Sequence, residues 1–119
     1  MTVDALSDTG EFLGGIIVPG FDLMQQALVT NTAALKLEQG GFRDYPDNTA
    51  DAIASGAMQA LAGAVERMSA LLATTLGHTP DCIVSGGAAQ LLQPRLNVSA
   101  RVVDNLVLEG LVLIAAEVS

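Results

Sequence analysis

The twelve residues Asp81-Cys-Ile-Val-Ser-Gly-Gly-Ala-Ala-Gln-Leu-Leu92 limit what this chain can fold into more than any other stretch. The first half is a short apolar run of the length of a buried strand, and the second half resumes as a helix after Gly86-Gly87. A glycine pair between a strand and a helix bares the backbone, and the helix start offers free N–H groups, an arrangement that suits a nucleotide. Such a pair also serves simply to join a strand to a helix, and the residues alone leave both readings open.

Before this stretch, Thr2 to Leu6 and Glu11 to Val18 read as two strands joined by the turn residues Ser7-Asp-Thr-Gly10, a hairpin. Gly14-Gly15 interrupts the second strand and Pro19-Gly20 ends it, which marks either a bulge and turn or a wall against which a ligand or another backbone lies. From Phe21 to about Leu37 apolar residues recur at helical spacing, and the helix stops near Gly40-Gly41. The polar loop Phe42 to Asp47 follows, then a long helix, capped by Asp47 or Asn48, that runs to about Leu76 and packs through Ile53, Leu61, Val65, Met68 and Leu72. Its small residues Gly56, Ala60, Gly63 and Ala64 form a second face, for packing within the domain or against another subunit. After the glycine turn, a short helix through Leu91 and Leu92 ends at Pro94, Asn97 to Asp104 reads as a strand, and Leu106 to Val118 as an apolar helix. The alternation of strands and helices predicts an α/β domain.

Composition narrows the partners. Thirteen acidic residues against five basic ones give a net charge of −8, which argues against a nucleic-acid surface and against an anionic membrane. Hydrophobic residues make up 50% of the chain and charged ones 15%, with a mean hydropathy of +0.47, so some apolar surface is expected to meet a partner. No apolar run approaches the roughly 18 residues of a membrane span, and the start lacks a basic signal-peptide region, so a cytoplasmic protein is expected. Cys82, mid-strand beside Ile83 and Val84, reads as a buried, inert thiol, and His78 as a surface loop histidine, since no second histidine or cysteine lies at metal-ligand spacing. No catalytic residue and no metal ligand is assigned.

Asp4, Gly14-Gly-Ile-Ile-Val-Pro-Gly20, Met24, Ala27-Leu28, Asn48-Thr49, Ile53, Ser55-Gly56, Ser85-Gly-Gly87, Ala89 and Asp104-Asn-Leu-Val-Leu-Glu-Gly-Leu111 together resemble the C-terminal half of a type III pantothenate kinase. That family includes the Bvg accessory factors and belongs to the actin-like ATPase superfamily. The resemblance runs over essentially residues 1–119, read as one C-terminal actin-like domain. It implies an RNase H-like half-domain with a mixed sheet and helices, and transfer of the ATP γ-phosphoryl group to pantothenate in coenzyme A biosynthesis. By resemblance Thr49 contacts pantothenate, where its bland alternative is an N-cap or first-turn residue, and Gly86 and Gly87 form the adenosine-side turn. ATP, a magnesium-type divalent cation and a monovalent cation (potassium or ammonium) are the implied cofactors, and a homodimer the implied assembly.

The family's phosphate loops, Asp-x-Gly-Asn-Thr and Asp-x-Gly-Thr-Ala, and its Gly-x-Asp-Arg run with the general base are not found in these residues. The expectation is therefore a half-domain incomplete at its N-terminal strand, with Thr2 to Leu6 or a neighbour left as an open edge, that needs the N-terminal half of the same protein as partner and is inactive alone. A non-catalytic accessory or regulatory protein that keeps the kinase fold is the alternative.

Overall fold

The computed structural model describes residues 1–31, 39–103 and 111–115. Its elements are β1 (Thr2–Leu6), β2 (Phe12–Ile17), α1 (Phe21–Asn31), α2 (Thr49–Leu76), β3 (Asp81–Val84), α3 (Ala89–Leu92) with a 3₁₀ turn at Gln93–Arg95, β4 (Ala100–Val102) and β5 (Leu111–Ala115). The five strands form one mixed sheet in the order β2-β1-β5-β3-β4, an α/β architecture.

The β1–β2 hairpin is antiparallel, with Val3 opposite Ile16 and Asp4 opposite Gly15. Its turn is closed by the Ser7 hydroxyl, which accepts the Glu11 N–H at 3.0 Å, and by the Ser7 carbonyl, which accepts the Gly10 N–H at 3.0 Å. The register slips between Ala5, opposite Gly14, and Leu6, opposite Phe12, so Leu13 is the extra residue of a β-bulge beside the glycine pair.

One expectation is overturned. Leu106 to Val118 does not form a helix where it is described: Leu111–Ala115 is a strand, parallel to β1 and antiparallel to β3. An apolar run without alternation fits a strand flanked on both sides as well as it fits a helix, and its length here is that of a strand. β1 is hydrogen-bonded to β2 on one side and β5 on the other, and the edges among the described strands are β2 and β4, so of the two places expected for an open edge it is the neighbour of Thr2 to Leu6 that is one. The expected strand at Asn97 to Asp104 shrinks to Ala100–Val102. The expected end of α1 near Leu37 lies outside the described residues.

α2 organises the core. Asn48 caps it, its Oδ1 accepting the Asp51 N–H at 2.9 Å, and Gly77 ends it in the left-handed region with its N–H on the Ala73 carbonyl at 2.8 Å. Met58, Leu61, Ala62, Val65 and Leu72 are buried against Val3 and Ala5 of β1, Cys82 and Val84 of β3, and Ala89 and Leu92 of α3. Phe21 and Met24 of α1 and Met68 pack around this cluster. Full burial of a side chain of the Val or Leu class is worth about 1.5–3 kcal/mol, so Val65 and Leu61 anchor the helix to the sheet. Burial pushes the Cys82 thiol up to about 11, and His78 is exposed. No helix among the described residues is long and apolar enough to cross a membrane.

Candidate substrate-binding site

Thr49 is the first residue of α2, one position after the cap. It is exposed, and its hydroxyl has no hydrogen-bond partner among the described residues. It lines an open cleft of about 520 Å³ with Pro46, Asp47, Asn48, Ala52, Ile53 and Leu28. The first N–H groups of a helix have no partner within it, so the start of this 28-residue helix presents Thr49 and Ala50 donors beside that hydroxyl.

The loop before α2 is held down by side chains of the helix's first two turns. The Asp51 carboxylate accepts the Gly41 N–H at 2.8 Å and the Asn48 side-chain amide at 2.8 Å, and pairs with Arg43 Nε at 3.2 Å. These donors, Gly41 foremost, hold its carboxyl below the usual carboxylate range. One turn on, the buried Ser55 hydroxyl accepts the Arg43 N–H at 2.9 Å and faces the Gly41 carbonyl at 3.4 Å. Gly40 lies directly against the helix backbone, where a Cβ would overlap the Ala50 carbonyl. Arg95 stacks over the Phe42 ring at 3.9 Å and fixes the loop from the other side.

Gly86 has φ +106°, a conformation that side chains rarely adopt, and its carbonyl accepts the Ala89 N–H at 3.2 Å. Gly87 is exposed, with nothing within 4 Å of where a Cβ would stand. It lines a different cleft, of about 350 Å³, with Met1, Gly20, Phe21, Asp22 and Leu91 among its walls. Thr49 and Gly87 are therefore not in one pocket. A third, apolar cleft of about 350 Å³ between α1 and α2 shares Leu28, Ala52 and Ile53 with the Thr49 cleft and Leu23 with the Gly87 cleft. The three depressions form a strip around α1, and Leu23 and Leu28 are separated by roughly 7.5 Å along its axis.

Asp51, Ser55 and Gly40 were not singled out as parts of this site from the sequence. The spacing Asn48-x-x-Asp51, an N-cap followed three residues later by an acid, is the signal that could have found Asp51.

The family model for type III pantothenate kinases matches residues 1–71, more than half the chain. The chain belongs to the type III pantothenate kinase family. A type III pantothenate kinase of Nitrosospira multiformis is 68% identical over 119 residues, covering all of this chain and 45% of the relative. Those of Methylibium petroleiphilum and Azoarcus sp. are 45% and 50% identical, over 98% and 97% of this chain and 46% and 43% of their own lengths. The chain thus spans about half the length of the curated kinases it matches, their C-terminal part. A crystal structure described as a Baf family transcriptional activator from Campylobacter jejuni is similar in fold, with a TM-score of 0.52 and 19% identity, over 86% of this chain and 50% of that one.

Proposed function

We propose that this chain is the substrate-binding half of a cytoplasmic enzyme that transfers the γ-phosphoryl group of ATP to pantothenate, with pantothenate at the Thr49 cleft and adenosine at the Gly86-Gly87 turn. The observation that carries the reading is the Thr49 hydroxyl at the N-terminus of α2, without a hydrogen-bond partner among the described residues and lining a cleft of about 520 Å³. That volume falls within the range of about 300–1,000 Å³ common for small-molecule sites. Pantothenate bears a carboxylate, an amide and hydroxyls, and a helix N-terminus with a hydroxyl beside it offers donors for such groups.

In the reaction the pantothenate hydroxyl oxygen bonds to the γ-phosphorus, the bond to the β-phosphate oxygen breaks to release ADP, and the hydroxyl proton passes to a base. The base and the phosphate loops belong, in this reading, to the N-terminal half of the protein, and this chain orients the acceptor. Positioning and charge neutralisation supply most of the catalysis of phosphoryl transfer, so orientation is a substantial contribution. Among the described residues no group of three or more His, Cys, Asp or Glu side chains is placed to hold a metal ion, so the cations of the reading enter with the ATP phosphates or through other parts of the protein.

The finer fold assignment, an RNase H-like domain of the actin-like superfamily, is part of the same proposal and is supported by the likeness in fold at a TM-score of 0.52. A homodimer also belongs to it. Its support is the open face of α2, where Gly56, Ala60 and Gly63 are exposed and nothing lies within 4 Å of a Cβ at either glycine.

Coupled ADP release tests the reading. The full-length protein should turn over with pantothenate and ATP, and the 119-residue chain should not until the N-terminal half is added. Binding of both ligands by the full-length protein without turnover would favour the non-catalytic accessory protein.

A further inference from the structure

An acid at the third position of a helix ordinarily reaches back to the N–H of its own N-cap residue. Asp51 occupies that position in α2, yet its carboxylate is turned onto the preceding loop, on Gly41 N–H, Arg43 Nε and the Asn48 side chain. The helix start is capped by Asn48, whose Oδ1 takes the Asp51 N–H. The carboxylate thus shapes the segment between Gly41 and Asn48 as well as orienting the Asn48 cap of the helix. That segment ends in the wall of the Thr49 cleft: Asn48 and Asp47 both line it, and Asn48 Nδ2 also donates to Asp47 Oδ1 at 3.3 Å.

We propose that Asp51 is a positioning residue for the phosphoryl acceptor: through Asn48 and Gly41 it fixes the wall of the cleft beside Thr49, and so governs affinity for pantothenate but not for ATP. This rests on the reading of the Thr49 cleft as the pantothenate site. The nucleotide reading lies in the separate Gly87 cleft; Gln39 of its lining stands two residues before Gly41, but no lining residue of that cleft bonds to Asp51, whereas Asn48, which does, lines the Thr49 cleft. Asp51→Asn is the sharp substitution. It keeps the size and one acceptor for the Gly41 N–H, but it turns an amide toward both the Asn48 amide and the Arg43 guanidinium, which share Oδ2 and need an acceptor there.

The test is steady-state kinetics on the full-length enzyme with three variants, Asp51→Asn, Arg43→Ala and Thr49→Val. Asp51→Asn should raise the KM for pantothenate about tenfold and leave the KM for ATP within about twofold, the size expected for losing one charged hydrogen-bonding arrangement. Loss of stability alone would lower the active fraction and hence kcat, and would not separate the two KM values. Arg43→Ala removes one exposed arm of the clamp and should shift the pantothenate KM in the same direction by about threefold; it decides the matter if Asp51→Asn does not fold. If Thr49→Val raises the pantothenate KM while the clamp variants leave it unchanged, or raise both KM values equally, Asp51 is not a positioning residue and the cleft reading stands. If Thr49→Val leaves the pantothenate KM unchanged, the cleft reading fails and this inference falls with it.

Discussion

The backbone of Gly15 lies directly against the carboxylate of Asp4 on the neighbouring strand: a Cβ at position 15 would overlap Asp4 Oδ1 and stand 2.7 Å from the Val3 carbonyl. Gly15→Ala should therefore push the hairpin apart, at a cost of about 1–3 kcal/mol by analogy with overpacked cores. Gly63, exposed in α2 with nothing within 4 Å of a Cβ, gives the opposite expectation. Gly63→Ala should stabilise the monomeric chain by about 0.4–1 kcal/mol, because alanine restricts the unfolded chain and fits the helix. Urea unfolding of both variants beside the parent checks the pair, and a neutral Gly15→Ala would remove the close approach as the reason for glycine there.

The two glycines of the strand–helix turn should separate in a similar way. Gly86, at φ +106°, is strained by any side chain, so Gly86→Val should lower stability by about 1–3 kcal/mol and blur any effect on ligands. Gly87 has open space at its Cβ position, so Gly87→Val should fold normally. In the nucleotide reading it should still weaken ATP binding about tenfold or more while pantothenate binding is kept. Unaltered ATP affinity in folded Gly87→Val would take the adenosine site elsewhere.

Where the chain's local chemistry decides structure, it was legible in advance. Ser7-Asp-Thr-Gly10 closes the hairpin, and α2 is capped by Asn48, one of the two expected caps, and runs to Leu76 as expected. Leu61, Val65 and Leu72 are buried at the helical spacing that marks them. What depends on distant neighbours was not. Leu111–Ala115 carries no alternation to distinguish strand from helix, and only its pairing with both β1 and β3 makes it a strand. The clamp on the Thr49 cleft was hidden for a related reason. Asp51 acquires its role from a backbone N–H ten residues away, and no periodicity reports where a loop returns.

A link between the hairpin turn and the end of α2 should depend on pH. His78 Nε2 lies 2.9 Å from Asp8 Oδ1, and its Nδ1 lies 3.3 Å from the Thr79 carbonyl. The Thr79 carbonyl and then the Asp8 carboxylate raise the His78 pKa above its ordinary 6.5. A raised folded-state pKa means that the stabilisation is fully present below about pH 6.5 and is lost as pH climbs through the folded value. The difference in Tm between the parent and His78→Asn should accordingly be largest below about pH 6.5 and fall away as pH rises through the folded value. Both groups are exposed, so the difference should be small and should shrink in high salt. A difference that grows with pH would contradict the pairing.

The claim that pantothenate is received at the start of α2 is tested most directly by calorimetric titration of the full-length protein and its Thr49→Val variant with each ligand. Valine keeps the shape of threonine and removes only the hydroxyl, so the fold should be undisturbed at this exposed position. Thr49→Val should weaken pantothenate binding by about three- to tenfold, the equivalent of one hydrogen bond, and leave ATP binding unchanged. Unchanged pantothenate affinity, or an equal loss for both ligands, would contradict it.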